Sequence, residues 1–246
     1  MTRLLPPSEL LALVETSIDE LVSQLRATDL SRYPQPSSLP GWSTAQLVAH
    51  LHSLARAAVR QFEHAGSENP PEMYDGGMAG RVEAINMTAL MRPEKLAELT
   101  IESLGTLRES LPGLEERWEQ PVGYRPGATV ADMVYAVWRE MLIHATDLDA
   151  SVRPAASWPQ AFTDHLLRAL KARVAPGDRV VLQPHGKQPI VLGGGDRSWV
   201  LTGTDYDLAA WLAGRPSTGV VQATAEADSA DFPNLDPWPS TVLMDR

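Results

Sequence analysis

The chain has 246 residues, 43% of them hydrophobic and 21% charged, with a formal net charge of −10. That length accommodates one large domain or two modest ones, and the composition is that of a globular protein. The acidic balance and the lack of any Lys/Arg cluster exclude nucleic acid as the main partner, while the absence of cysteine excludes disulfides, thiolate metal ligands and a cysteine nucleophile.

No run of about 18 apolar residues occurs, so no membrane span is expected. The opening stretch, MTRLLPPSELLALVETSIDELV, repeats its apolar residues at helical spacing with acids between them. That is not the pattern of a secretory signal, and the chain is expected in the cytoplasm. A helix is predicted from about Pro7 to Leu30, with Leu10, Leu11, Leu13, Val14, Ile18, Leu21, Val22 and Leu25 as its apolar stripe. The Pro- and Ser-rich stretch SRYPQPSSLPGW breaks it. Ser43 or Thr44 caps a second helix, TAQLVAHLHSLARAAVRQFEHAG, which Gly66 closes. After the loop SENPPEMYDGGMAGR come a short helical piece, about Arg81 to Leu90, and a third long helix, about Pro93 to Leu111. The fourth starts near Thr129 and carries REMLIHATDL. Four long helices with moderate connections imply an up-and-down or crossover bundle.

Composition shifts at SVRPAASWP, which marks a domain boundary: residues 1–154 form the helical domain and 155–246 a small α+β domain. In the latter, FTDHLLRALKARV reads as a helix. RVVLQP, QPIVLGG and SWVLTGT read as strands. TDYDLAAWLAGRPS is a capped helix with a Gly stop, and the tail EADSADFPNLDPWPSTVLMDR is irregular. No internal repeat is present.

Six histidines occur. Glu140 and His144 lie four apart, about one helical turn, so they share a face. The pair is either a satisfied polar contact or two ligands of a metal. Two histidines with one glutamate would leave a coordination position open, the catalytic rather than the structural pattern. The third ligand would come from the second helix, from His50 or His52. At about 100° per residue these point roughly 160° apart, and periodicity does not choose between them.

LPGWSTAQLVAHL together with REMLIHATDLDA resembles the mycothiol-dependent maleylpyruvate isomerase family of DinB-like metalloenzymes. The similarity continues through PEMYDGGMAGRVEAIN and into LAAWLAGRPSTG. It implies an α+β protein: a DinB-like four-helix bundle, then a small α+β domain that closes over the active site. It assigns the metal, usually zinc, to His50, Glu140 and His144. His52 departs from the family pattern and is read as an edge or neighbouring residue, with ligation as the alternative. Arg215 matches a family arginine facing the active site, although a cation near a helix end also suits the helix dipole. Arg81 matches an arginine after the Met-Tyr loop, against the alternative of a solvated surface arginine. Tyr74 is a candidate pocket wall, and Asp147 a partner that orients His144.

The activity implied is conversion of maleylpyruvate to fumarylpyruvate with mycothiol, a sugar-linked cysteine thiol. The thiolate, favoured by the metal, adds to the cis double bond; the bond rotates and the thiolate leaves. The substrate is a small dianion, which Arg215 and then Arg81 suit as carboxylate partners. The competing expectations are an S-transferase for mycothiol or another low-molecular-weight thiol, a metal-dependent hydrolase, and a metal-stabilised binding module with a fourth protein ligand from His52, His64 or Asp147. Oligomeric state is left open.

Overall fold

The computed structural model describes residues 5–225 and 232–238. It is an α+β protein whose chain divides into two compact units, with the division between Asp149 and Ala150. That is five residues before the boundary drawn from composition, because the first unit ends where its last helix ends and the Pro-rich stretch already belongs to the second.

The first unit is a four-helix bundle with one added helix. Its helices are α1 (Pro7–Ala27), α2 (Thr44–Glu63), α3 (Gly77–Thr88), α4 (Pro93–Glu109) and α5 (Val130–Leu148). The main contacts are α1 with α5 and α4, and α2 with α4 and α5; α3 lies on α2. Helices consecutive in the bundle, α1 and α2, therefore sit diagonally, which their long connection allows. The α1 stripe of Leu10, Leu11, Val14, Ile18, Leu21 and Leu25 is buried, whereas Leu13 and Val22 lie at its edge.

α1 stops at Ala27, earlier than its periodicity suggests. Thr28 turns extended and Asp29 caps a 3₁₀ turn, Leu30–Arg32, by accepting from the Ser31 N–H. Arg32 then reaches Asp149 at 2.5 Å and ties this turn to the end of α5. Ser43 and Gln46 form a reciprocal capping box at the start of α2, so two otherwise orphaned N–H groups are satisfied. Thr129 and Asp132 do the same for α5.

α3 begins at Gly77, four residues before the sequence reading. Gly76 precedes it in a left-handed conformation, and a Cβ on Gly80 would stand 2.0 Å from the Asp75 carbonyl oxygen. The Gly-rich stretch is thus a tight helix entry rather than plain loop. Ile85 is the buried residue of α3, and a Gln46–Asn86 hydrogen bond of 2.9 Å fastens it to α2.

The second unit holds α6 (Gln160–Ala169), β1 (Asp178–Pro184), β2 (Ile190–Gly193), β3 (Arg197–Gly203), α7 (Asp205–Ala213) and β4 (Gln222–Ala225). The sheet order is β2-β1-β3-β4. β1 and β2 are an antiparallel hairpin, yet β3 runs parallel to β1. The chain must therefore cross from one side of β1 to the other within a few residues, and glycines make this feasible. Gly193 has φ +72, and a Cβ on Gly195 would lie 2.0 Å from the Gly177 carbonyl carbon. β4, which the sequence reading did not anticipate, pairs antiparallel with β3 along the sheet edge. α7 contacts β1 and β3, and α6 packs on α7. Of the tail read as irregular, residues 226–231 and 239–246 lie outside the described residues. Leu235 makes one bridge to Val174. No helix among the described residues is long and apolar enough to cross a membrane.

Candidate metal centre

α2 is buried on most of its circumference, because α3, α4 and α5 all lie against it. Its two central histidines consequently face different partners. His52 Nδ1 lies 2.7 Å from the Ser103 hydroxyl on α4, and burial pushes its ring pKa down. It is a buried histidine at the wall of a cleft, with no place beside the acid of α5. His50 points to α5 instead. Its Nε2 is 2.9 Å from Glu140 Oε2 and 3.1 Å from His144 Nε2. His144 Nε2 is also 2.9 Å from Glu140 Oε2. Among the described residues this is the one cluster of three His, Asp or Glu side chains able to hold a metal ion.

The donor set fits a divalent metal. A tetrahedral ion about 2.0–2.1 Å from each donor needs donors roughly 3.3 Å apart, so a small expansion of the triad suffices. Two imidazole nitrogens and one carboxylate oxygen suit zinc and related ions. The His50 and His144 side chains are 4% and 11% exposed, whereas Glu140 is 34% exposed. The protein therefore closes the centre on the histidine side and leaves it open on the carboxylate side, with no fourth protein ligand in the cluster.

Neighbouring groups hold these donors in place. Asp147 Oδ2 lies 2.9 Å from His144 Nδ1, one turn along α5, and so turns Nε2 toward the centre. The Ser38 hydroxyl donates to the Asp147 carbonyl at 2.8 Å. Trp42 sets its ring edge-on to His50, with centroids 5.9 Å apart; this gives the Gly-Trp of the sequence a packing role. Arg81 Nη2 is 3.0 Å from His50 Nδ1. A guanidinium only donates, so without metal Nδ1 of a neutral His50 is the acceptor and the ring proton sits on Nε2 beside Glu140. A metal at Nε2 would require that proton to leave Nε2 and the Arg81 contact at Nδ1 to give way to an N–H. Arg81 is accordingly no solvated surface arginine. Its guanidinium also lies 5.6 Å from the Tyr74 ring centroid.

The charge distribution follows. Burial alone would raise the Glu140 carboxyl, but hydrogen bonds from His144 and His50 outweigh it and hold it well below the ordinary value. Burial lowers His50, against the pull of Glu140. Burial also opposes charge on His144, yet the hydrogen bonds of Asp147 and Glu140 raise it to about 9. Tyr74 is raised to about 12, chiefly by burial.

Without metal, His144 is thus protonated at neutral pH. This charge stabilises the fold fully below the unfolded value of 6.5, and the contribution is lost as pH rises through about 9. A metal needs the neutral ring, so loading expels the proton. Apparent metal affinity is expected to rise by about tenfold per pH unit up to the His144 value. Calorimetric titration with zinc in buffers of different ionisation enthalpy should show proton release at pH 7; a buffer-independent heat would contradict it.

Arg81 and Tyr74 also line a cleft of about 870 Å³ between α2, α3 and α4, whose walls include Arg56, Arg60 and Glu102. Sequence reasoning found Arg81 and Tyr74 but not Arg56 and Arg60, which are legible only as polar positions on one side of α2. Arg215 lies in the second unit, just after α7. Its Nη1 donates to the Ala213 carbonyl at 2.8 Å, so the helix-end role foreseen for a cation there is realised.

Comparison with known proteins agrees with this architecture. The chain superposes on the crystal structure of a mycothiol-dependent maleylpyruvate isomerase with a TM-score of 0.80 and 21% identity, covering 95% of this chain and 98% of that one. A histidine-to-alanine variant of such an isomerase gives a TM-score of 0.81 at the same identity and coverage. No curated protein is matched significantly by sequence. The family model described as the mycothiol maleylpyruvate isomerase N-terminal domain matches residues 11–149, and that of the MDMPI C-terminal domain matches residues 157–234. With the first model alone spanning more than half of the chain and the second following in order, the protein belongs to the mycothiol maleylpyruvate isomerase family.

Proposed function

We propose that this protein is a metal- and mycothiol-dependent cis–trans isomerase that converts maleylpyruvate to fumarylpyruvate. The observation that carries the reading is the triad of His50, Glu140 and His144, open only on its carboxylate side, in a chain with no cysteine of its own. The three side chains would hold a divalent ion, zinc by donor type. Bound there, the metal favours the thiolate form of a coordinated thiol, and the thiol supplies the nucleophile that the chain lacks.

The remaining residues bind and orient. Asp147 fixes the His144 imidazole through its Nδ1, and Arg81 bounds His50 on the side away from the other two donors. The cleft walled by Arg81 and Tyr74 adjoins the triad through the Arg81–His50 contact, although His50, Glu140 and His144 do not line it; it is assigned to the part of the thiol cofactor that lies away from the sulfur. Its mixture of cationic, anionic and aromatic walls suits a neutral, hydroxyl-rich molecule. Arg215 is assigned to a substrate carboxylate, for which a guanidinium fork is matched in shape and charge, and to the enolate charge that develops on addition. A small anionic substrate and a reduced thiol would suit a cytoplasmic protein, and neither nucleic acid nor membrane is proposed as a partner.

The test is turnover of maleylpyruvate by the zinc-loaded protein with and without mycothiol, followed by the ultraviolet absorbance of the substrate. Thiol-dependent formation of fumarylpyruvate is expected. Bound metal and bound thiol without turnover would reassign the protein as a thiol S-transferase acting on another electrophile.

A further inference from the structure

Arg215 is held at several points within the second unit. Gly214, with φ +69, ends α7, and the Arg215 N–H donates to the Ala210 carbonyl at 2.8 Å. The loop that follows returns to the start of α7, where Asp207 Oδ1 accepts from the N–H groups of Thr218 and Gly219 at 2.8 Å each. These contacts place the backbone but leave a long, flexible side chain to be aimed.

Trp238 meets that side chain. The Arg215 guanidinium lies 5.7 Å from the indole centroid. The indole Nε1–H donates to the Ala213 carbonyl at 3.1 Å, the same oxygen that accepts from Arg215 Nη1 at 2.8 Å. A second guanidinium, that of Arg173, lies 5.6 Å from the same ring. Arg173 donates to the carbonyls of Leu212 and Asp236 at 2.6 and 2.9 Å, and its carbonyl accepts from the Asp236 N–H at 2.8 Å. It therefore laces the segment bearing Trp238 to the end of α7. Two like charges side by side would otherwise push Arg215 away. The indole ring, within reach of both, attracts both.

We infer that Trp238 is the positioning residue of Arg215: its ring and its N–H together set the guanidinium in the orientation that takes a carboxylate. This rests on the assignment of Arg215 to substrate made above. Trp238 itself need not touch substrate. Its influence is through direction, where a displacement of about 1 Å can cost roughly 100-fold.

The test is calorimetric titration of the full chain with maleate, a simple cis dicarboxylate, in a double-mutant cycle. Trp238→Ala is expected to weaken maleate binding by about tenfold, the range of a partly desolvated cation–π contact. Trp238→Phe, which keeps an aromatic face, should recover most of it. In an Arg215→Ala background, Trp238→Ala should change nothing further. Should Trp238→Ala not fold, Trp238→Leu keeps apolar bulk, removes the π face and carries the same expectation. If Arg215→Ala weakens binding while the Trp238 variants do not, or if the Trp238 loss persists undiminished without Arg215, the inference is overturned. Failure of the parent chain to bind maleate, or binding unaffected by Arg215→Ala, would instead overturn the underlying role of Arg215.

Discussion

Replacing His144 with alanine is expected to leave the purified protein without stoichiometric divalent metal and to reduce thiol-dependent turnover to background. His144 supplies one of three donors that lie within 2.9–3.1 Å of one another. With it gone, a single imidazole and a partly exposed carboxylate remain, too few protein ligands for a stable catalytic site. Loss of a group that merely orients a ligand costs about 10–100-fold in metal affinity; loss of the ligand itself should exceed that. The substitution also removes the Nδ1 partner of Asp147, which is 4% exposed. The Ser38 hydroxyl remains 3.3 Å from Asp147 Oδ1; loss of the charged hydrogen bond to His144 is expected to cost about 1–3 kcal/mol, and the chain should still fold. Elemental analysis after dialysis, with unfolding curves alongside, checks both parts. Retention of one tightly bound ion by His144→Ala would show that the metal lies elsewhere.

The largest effect on stability is expected at Asp132, at the start of the helix that carries Glu140 and His144. Its Oδ1 accepts from Arg125 at 2.9 Å, and its Oδ2 accepts from the Thr129 N–H at 3.0 Å. The Arg125 and Asp132 side chains are 9% and 8% exposed. Asp132→Ala therefore removes the carboxylate from a buried guanidinium and opens the capping box together. Breaking a buried pair from one side costs about 3–5 kcal/mol, and loss of a cap alone about 1 kcal/mol; the two overlap, so about 3–5 kcal/mol in all is expected. Urea unfolding should show a midpoint shifted well down with the slope retained. A change below about 1 kcal/mol would mean that Arg125 is satisfied without Asp132.

Much of the bundle was legible because its signals are local. Ser43 and Thr129 announce helix starts by capping chemistry, and the Glu140–His144 and His144–Asp147 spacings place side chains on one face by helix geometry alone. The choice between His50 and His52 was not local. Both border the apolar stripe, and α2 buries both, so only the placement of α4 on one side and α5 on the other separates them. The family resemblance assigned His50, and the structure brings that histidine to Glu140 and His144.

In the second unit, RVVLQP and SWVLTGT are short apolar runs rich in β-formers and so read as strands, but the parallel pairing of β1 with β3 is a tertiary fact that only the glycine crossover hints at. The short edge strand β4 alternates, but only glutamine and threonine with alanine, too small an apolar face to mark a strand. Trp238 sits in a Pro-rich stretch with no periodicity, and its partners Arg173 and Arg215 are 65 and 23 residues away in sequence. Arg81 was ambiguous for a similar reason: its contact with His50 depends on the Gly76–Gly80 helix entry, which read as loop.

The most direct measurement is X-ray absorption at the zinc edge on zinc-loaded protein, before and after mycothiol is added. A metal held by His50, Glu140 and His144 should give a shell of nitrogen and oxygen scatterers at about 2.0–2.1 Å, and added thiol should bring in one sulfur at about 2.3 Å. A spectrum with four protein ligands that mycothiol leaves unchanged would contradict a thiol-binding catalytic centre.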